Sequence, residues 1–268
     1  MKSIAVIGHG FVGKAVSAFF DNHFQLVLYD PALFETEKEQ VNQCTVSVVC
    51  VPTPILNNGA ADTSIVEDAV SWITTSLIII KSTMPPGTTE YLKNKYNKRI
   101  VFSPEFGGES SYVIPWWKGI PHPTDMRYHD VHIFGGAPAD THEALQFFKT
   151  VGGPSPRYLQ TNASTAELVK YMVNVFGAMK VTFSNEFFEI AKIMKVDYDE
   201  LRELSLATGF IERMHTVVFE DKRGYGGKCF PKDTRGIVAA SVEKGYVPAL
   251  LQQVINSNET FVKGSSNE

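Results

Sequence analysis

The first thirty residues constrain the fold more than any other stretch. Ser3 to Ile7 reads as a short apolar strand, and Gly8-His9-Gly10-Phe11-Val12-Gly13 follows at once. Lys14 to Phe20 then carries a helical apolar pattern, and a second apolar run, Phe24 to Tyr29, ends in Asp30. Strand, Gly-x-Gly-x-x-Gly, helix, strand and acid, with the acid about 20 residues beyond the glycines, is the pattern of a dinucleotide-binding βαβ unit. Gly8 permits the tight turn, Gly10 lets a pyrophosphate approach the backbone at the helix N-terminus, and Gly13 lets helix pack on strand. Asp30 is placed to accept hydrogen bonds from ribose hydroxyls and to repel a 2′-phosphate, which favours NAD over NADP. FAD shares the loop, but nothing else here resembles a flavin site.

The rest of the first half keeps the same rhythm. Val46 to Val51, Ser76 to Lys81, Ile100 to Ser103 and Val131 to Phe134 read as strands. Thr63 to Trp72, Thr88 to Tyr96 and Ala137 to Thr150 read as helices between or after them. Alternation of this kind predicts a doubly wound parallel sheet, a Rossmann-like α/β fold. Ligands bind beyond the carboxyl ends of such strands. Three strands end on polar groups, at Thr53, Thr83 and Glu105, which the fold would gather at one crevice.

Between Gly107 and Asp130 the pattern breaks. Tyr112, Pro115, Trp116, Trp117, Pro121 and Pro123 crowd an irregular stretch, which fits either a sugar- or base-stacking loop or a loop packed on its own domain. His122, His129 and His132 lie in or near it without metal-ligand spacing and read as surface or loop residues.

From about Thr161 the chain changes character. Asn162 to Glu167 supplies capping candidates, and an apolar pattern then runs to about Lys195 with Gly177 as its one interruption. Leu168, Met172, Phe176, Met179, Phe183, Phe187, Ile190 and Ile193 belong to a pattern that covers most of the helix circumference, so the helix needs cover on more than one side. A second subunit meeting the same helix, 163–195, would supply it and predicts a homodimer; enclosure within one domain is the other reading. Tyr198 to Ala207, Thr234 to Glu243 and Val247 to Val262 continue as helices. The expected layout is a dinucleotide domain over 1–160, an all-helical domain over 161–263 and a disordered tail over 264–268.

Composition removes whole classes of function. A net charge of −4 offers no basic field for nucleic acid. No apolar run approaches the roughly 20 residues of a membrane span. The three cysteines, Cys44, Cys50 and Cys229, form neither a disulfide framework nor a metal site, and Cys44 and Cys50 read as core residues. No metal is expected. Met1 leads straight into the first strand, so a cytoplasmic protein is expected.

Chemistry concentrates at Gly224-Tyr225-Gly226-Gly227-Lys228-Cys229-Phe230-Pro231-Lys232-Asp233. The glycines allow close backbone approach to a ligand. Pro231 suits the first turn of a helix, which places Cys229 at a helix N-terminus, where N–H groups and dipole favour thiolate. A buried cysteine beside a tight turn is the plainer alternative. Lys170 and Asn174 stand four apart on the long helix and share a face. An ammonium and an amide there suit a developing oxyanion, and the same spacing also suits two residues that reach solvent.

Taken together these motifs resemble the UDP-glucose/GDP-mannose dehydrogenase family. The matching residues are Gly8 to Gly13, Val51-Pro52-Thr53-Pro54, Ser82 to Thr88, Ser103-Pro104-Glu105-Phe106, Ala166 to Asn174, Asn185-Glu186 and Gly226 to Asp233. The resemblance implies a two-step, four-electron oxidation of a nucleotide-sugar primary alcohol to the acid with two NAD. It implies that Cys229 captures the aldehyde, that Lys170 and Asn174 stabilise the oxyanion, and that Glu105 is the base for thioester hydrolysis. Thr83 and Asp233 would position water, with Asp233 or Lys170 taking the first proton. It assigns Gly8, Gly10, Phe11, Val12, Gly13, Asp30, Val51, Pro52, Thr53, Thr83, Glu109 and Lys232 to the cofactor. Glu105, Phe106, Lys170, Asn174, Tyr225, Gly226 and Gly227 fall to the substrate.

Two departures accompany the resemblance. Typical members carry a third, C-terminal domain that grips the nucleotide, and the family's Phe-Leu-x-Glu-Gly pattern is here Phe106-Gly107-Gly108-Glu109-Ser110. Another chain, the Trp116/Trp117 loop or a smaller substrate would each account for the missing surface. A two-electron hydroxy-acid dehydrogenase and a degenerate NAD-binding dimeric module remain the alternatives. Cys229 with Glu105 argues against the first; retention of Thr83, Glu105, Lys170, Asn174, Cys229 and Asp233 argues against the second, and the lack of the third domain argues for it.

Overall fold

The computed structural model describes residues 2–107 and 125–264. Glu109, Tyr112, Trp116, Trp117, His122 and the tail 265–268 lie outside the described residues. By backbone proximity the chain divides into two compact units. One is Met1–Leu56 with Ala61–Lys170, and the other is Asn57–Ala60 with Tyr171–Glu268.

The first unit is built on a seven-stranded sheet. Its strands are β1 (Ser3–Ile7), β2 (Gln25–Tyr29), β3 (Val46–Val49), β4 (Leu77–Ile80), β5 (Ile100–Phe102), β6 (Val131–Gly135) and β7 (Arg157–Thr161). The order is β2-β1-β3-β4-β5-β6-β7. The first five are mutually parallel. β6 joins β5 antiparallel through the single pair Phe102↔Gly135, and β7 runs parallel to β6. The expected parallel sheet thus gains a reversed pair at one edge. β7, whose residues are mostly exposed or half-buried, gave no apolar signal for a strand.

β3 and β4 are buried at every residue, as expected of central parallel strands covered on both faces. Side-chain alternation sorts the core into two layers. Ile4, Val6, Val48, Ile79 and Phe134 meet Val16, Phe19 and Phe20 of α1 (Phe11–Phe20) and Phe147 and Phe148 of α5 (Pro138–Gly152). Ala5, Ile7, Val49, Ile78, Ile80 and Phe102 meet the other helices. These are α2 (Lys38–Asn42), α3 (Ser64–Trp72) and α4 (Thr88–Tyr96), with Val41, Val66, Val70 and Leu92 buried in the same layer.

α6 (Ala163–Met194) runs 32 residues, about 48 Å at 1.5 Å per residue. Asn162 caps it, its side-chain oxygen accepting from the Thr165 N–H at 2.8 Å. It stops where Lys195 turns left-handed at φ 58 and the Val196 N–H returns to the Ala191 carbonyl at 2.9 Å. The division between units falls inside this helix, after Lys170. The second unit adds α7 (Tyr198–Ala207), α8 (Phe230–Glu243) and α9 (Ala249–Gly264). α8 begins four residues before the expected Thr234, because Pro231 sits at its start. Among the described residues, no helix is long and apolar enough to cross a membrane.

Candidate active site

In the first unit the residues expected at strand ends follow the carboxyl ends of five adjacent strands. Asp30 follows β2, Gly8 to Gly13 follows β1, Val51-Pro52-Thr53 follows β3, Ser82-Thr83 follows β4 and Glu105 follows β5. Chain order reverses between β1 and β3, the switch point at which open α/β sheets bind ligands.

The glycine loop has three distinct steric demands. Gly8 holds φ +84, a left-handed conformation that a side chain resists. A Cβ at Gly13 would lie 1.9 Å from the Gly8 carbonyl oxygen, so no larger residue fits. A Cβ at Gly10 would meet nothing within 4 Å. That space lies at the N-terminus of α1, where no side chain caps the N–H groups, and it is room for an anion. Asp30 accepts from the His9 N–H at 2.9 Å and the Ala32 N–H at 3.1 Å. A carboxylate has about four acceptor positions, so capacity for hydroxyls remains.

Next along the sheet edge, Ser82 donates to the Val51 carbonyl at 2.7 Å, joining the β3 and β4 ends. Thr53 is buried and Thr83 half-buried. Glu105 is buried, and the Lys170 ammonium donates to its main-chain carbonyl. Lys170 also stands over the Phe106 ring at 5.5 Å. Lys170 is thus a buried residue, and its reach into solvent is ruled out. One turn earlier on α6, Glu167 is fully buried, and its carboxylate accepts from the Gly87 N–H at 2.6 Å and the Thr89 N–H at 2.8 Å. Burial raises the Glu167 pKa above the carboxylate norm, against the lowering pull of the Thr89 and Gly87 bonds. Glu167 therefore caps α4 from α6 and fixes the Thr83 loop and Lys170 to one frame.

The second unit carries the thiol. Cys229 is half-buried and is the N-cap residue of α8, with φ −89 and ψ −58. Its carbonyl accepts from the Asp233 N–H at 2.8 Å. Asp233, buried in the first turn, accepts from the Asn174 amide and from the Lys232 ammonium. Asn174 too is buried. Two anchors hold the loop that precedes the thiol, and a third holds the residue after it. Arg223 donates to the Asn185 side chain and to Glu189, both at 2.7 Å. Asn258 of α9 accepts from the Tyr225 N–H at 2.6 Å and donates to the Tyr225 carbonyl at 3.0 Å. The Phe230 ring lies on Gly177, where a Cβ would sit 2.6 Å from the ring. Gly226 and Gly227 are exposed.

Two family models match this chain. One is the NAD binding domain of the UDP-glucose/GDP-mannose dehydrogenase family, over residues 32–118, and the other is the central domain of the same family, over residues 164–260. The chain belongs to the UDP-glucose/GDP-mannose dehydrogenase family. It is 28% identical over 306 residues to the putative UDP-glucose 6-dehydrogenase YtcA of Bacillus subtilis, covering 96% of this chain and 67% of that protein. It is 26% identical over 313 residues to the UDP-glucose 6-dehydrogenase AglM of Haloferax volcanii, covering 96% and 69%. Against the B. subtilis UDP-glucose 6-dehydrogenase TuaD the share of the relative falls to 63%, so the chain spans about two thirds of these relatives' length. A UDP-glucose dehydrogenase structure from Pyrobaculum islandicum superposes with a TM-score of 0.82 at 27% identity, over 97% of this chain and 68% of that one. A 3-hydroxyisobutyrate dehydrogenase from Mycobacterium tuberculosis superposes with a TM-score of 0.71 at 17% identity, over 96% and 92%, and shows the fold alone.

As a member of this family the chain is an oxidoreductase, and its cofactor is NAD. The open space at Gly10 and the Asp30 carboxylate fit that cofactor. Glu109, expected beside it, lies outside the described residues.

Some placements were missing from the sequence reading. Lys81 ends an isoleucine run as a buried cation, a signal visible in Ile78-Ile79-Ile80-Lys81. The partners of Glu167, Asn258, Arg223 and Gly177 were not legible, because each lies far along the chain. His132 corrects the surface reading. It lies in β6, buried against Phe19, Phe148 and Tyr158, since alternation along β6 turns it inward.

Proposed function

We propose that this chain oxidises the primary alcohol of a UDP-glucose-like nucleotide sugar to the uronic acid by four electrons, through a thioester on Cys229. The supporting observation is the thiol at the head of α8, one turn from a buried carboxylate that Asn174 and Lys232 hold. A two-electron dehydrogenase needs no thiol, and an aldehyde oxidation needs a tetrahedral adduct that a thiolate supplies.

NAD, when bound, accepts hydride in each of the two oxidations. Gly8, Gly10, Phe11, Val12, Gly13, Asp30, Val51, Pro52, Thr53, Thr83 and Lys232 are the residues assigned to hold it. Asp233 or Lys170 takes the alcohol proton. The Cys229 thiolate then adds to the aldehyde carbon, and Lys170 and Asn174 stabilise the resulting oxyanion. Once the thioester has formed, Thr83 and Asp233 orient water and Glu105 accepts its proton as the sulfur leaves. Phe106, Tyr225, Gly226 and Gly227 line the sugar side. A cytoplasmic setting suits a working thiol.

The test is stoichiometric. Given UDP-glucose and NAD, the protein is expected to form two NADH per acid, and Cys229→Ser to abolish acid. One NADH per product, or acid from Cys229→Ser, would overturn the thioester route.

A further inference from the structure

Lys81 has no place in the chemistry above, yet it is among the most deeply buried cations of the described residues. Its side chain is 1% exposed and that of Glu105 6%. The Lys81 ammonium lies 3.2 Å from Glu105 Oε2, 3.4 Å from the Ser103 carbonyl and 3.5 Å from the Ser103 hydroxyl. It also stands over the Phe148 ring of α5 at 5.1 Å. The other carboxylate oxygen, Oε1, accepts from the Phe106 N–H at 3.1 Å and the Gly107 N–H at 3.0 Å. His129 Nδ1 lies 3.6 Å from the same oxygen.

Several neighbouring groups contribute to the balance of charge at this carboxylate. Burial raises the Glu105 pKa and is the largest influence, but Lys81, His129 and the Gly107 N–H together more than offset it, and the net direction is down. The Cys50 thiol, just past β3, is pushed up to about 12, first by burial, then by Lys81 lowering and Glu105 raising it. His132, from β6, is lowered to about 3 by burial, then by Lys81 and His129, with Glu105 opposing. From α6 the Lys170 ammonium meets the main-chain carbonyl of Glu105. Lys81 is thus a fully buried cation within hydrogen-bond distance of the carboxylate itself. A buried ion pair is weak evidence for a stabilising role, since an apolar pair of the same volume is often as good.

We propose that Lys81 is a positioning residue for the hydrolytic half-reaction: its buried ammonium holds the Glu105 carboxylate ionised and in one orientation, and so sets the lower pH limit of acid release. This assignment rests on Glu105 being the hydrolytic base. In that step water forms the new C–O bond, its proton passes to the Glu105 carboxylate, and the C–S bond breaks with the electron pair leaving on Cys229. A protonated Glu105 cannot take that proton.

The experiment is the pH dependence of acid release by the full chain with NAD and UDP-glucose. Lys81→Met is expected to move the acid limb upward by about 1–3 pH units, the size of effect that one adjacent opposite charge exerts. KM for NAD should stay within about twofold, a split that general misfolding would not give. Glu105→Gln should stop release and leave the adduct on Cys229, visible by intact mass. An unmoved acid limb in Lys81→Met, with release lost in Glu105→Gln, would overturn the role of Lys81 and leave that of Glu105 standing. Release at the unmodified profile by Glu105→Gln would overturn both. Should Lys81→Met fold poorly, the double variant Lys81→Met/Glu105→Gln is expected to melt higher than Lys81→Met alone. No rise in melting temperature would also overturn the pairing.

Discussion

Gly177 decides how the thiol is held. The ring of Phe230, the residue after Cys229, lies against the α6 backbone at the spot a Cβ would occupy, 2.6 Å from the ring tip. Phe230 also meets the His215 ring edge-on at 5.2 Å, so it is confined from a second side and has little room to retreat. Gly177→Ala is expected to cost about 1–3 kcal/mol through overpacking, measured by denaturant unfolding. The accompanying loss of acid formation should exceed the loss of NAD binding, because the displaced element carries Cys229. Equal losses of both would contradict this. In the sequence Gly177 is legible only as a defect in a helical pattern, and its reason lies 53 positions away at Phe230. Lys81 is the opposite case: its residue type at the end of an isoleucine run is conspicuous, but only the fold shows that Glu105 answers it.

Among the described elements, α6 carries a long exposed apolar stripe. Met172, Phe176, Phe183, Phe187, Ile190 and Met194 recur at three-, four- and seven-residue spacing, which keeps them on one face, and are exposed, Met172 by 74% and Met194 by 68%. The Phe183 and Phe187 rings meet each other, tilted, with centroids 4.6 Å apart. An apolar stripe of this length on one face is the mark of an association surface. We propose a homodimer through this helix. Phe183→Glu/Phe187→Glu is expected to yield monomer with unchanged near-neutral stability, by light scattering on the purified protein, and a monomeric unmodified chain would contradict the proposal. The sequence made the helix and its length plain through unbroken apolar periodicity. It showed apolar residues nearly all round, and only the structure separates the buried ones, such as Tyr171, Val175 and Ala178, from the exposed stripe.

For the whole molecule, the buried histidines set a direction for acid sensitivity. Burial lowers His132 to about 3 and His215 to about 4, against an ordinary 6.5. Each stays neutral in the folded chain while the unfolded chain takes up a proton below about 6.5. The unfolded state therefore binds more protons between about 6.5 and those folded values, and stability falls as pH falls through that window, by up to roughly 1.4 kcal/mol per pH unit for each histidine. Glu105, whose pKa is depressed, adds a loss in the same sense at lower pH. His132→Phe would keep the aromatic packing with Phe148 and Tyr158 and remove one proton uptake. It is expected to flatten the decline in unfolding free energy between pH 6.5 and 4.5. A decline as steep as that of the unmodified chain would show that His132 titrates normally.

Local chemistry was enough to determine the dinucleotide unit, the strand–helix rhythm, the long helix and the place of Cys229 at a helix start. Each depends on residues close in sequence: glycines at fixed offsets, apolar periodicity, a proline in a first turn. The reversal of β6 and β7, the Lys81–Glu105 pair, the capping of α4 by Glu167 and the clamp of Asn258 on Tyr225 were settled only by tertiary structure. Those contacts join residues from 24 to 80 positions apart, and no spacing rule spans such distances. A buried charge or amide selects its partner by proximity after the chain has folded, because leaving it unpaired away from water costs more than any local preference supplies.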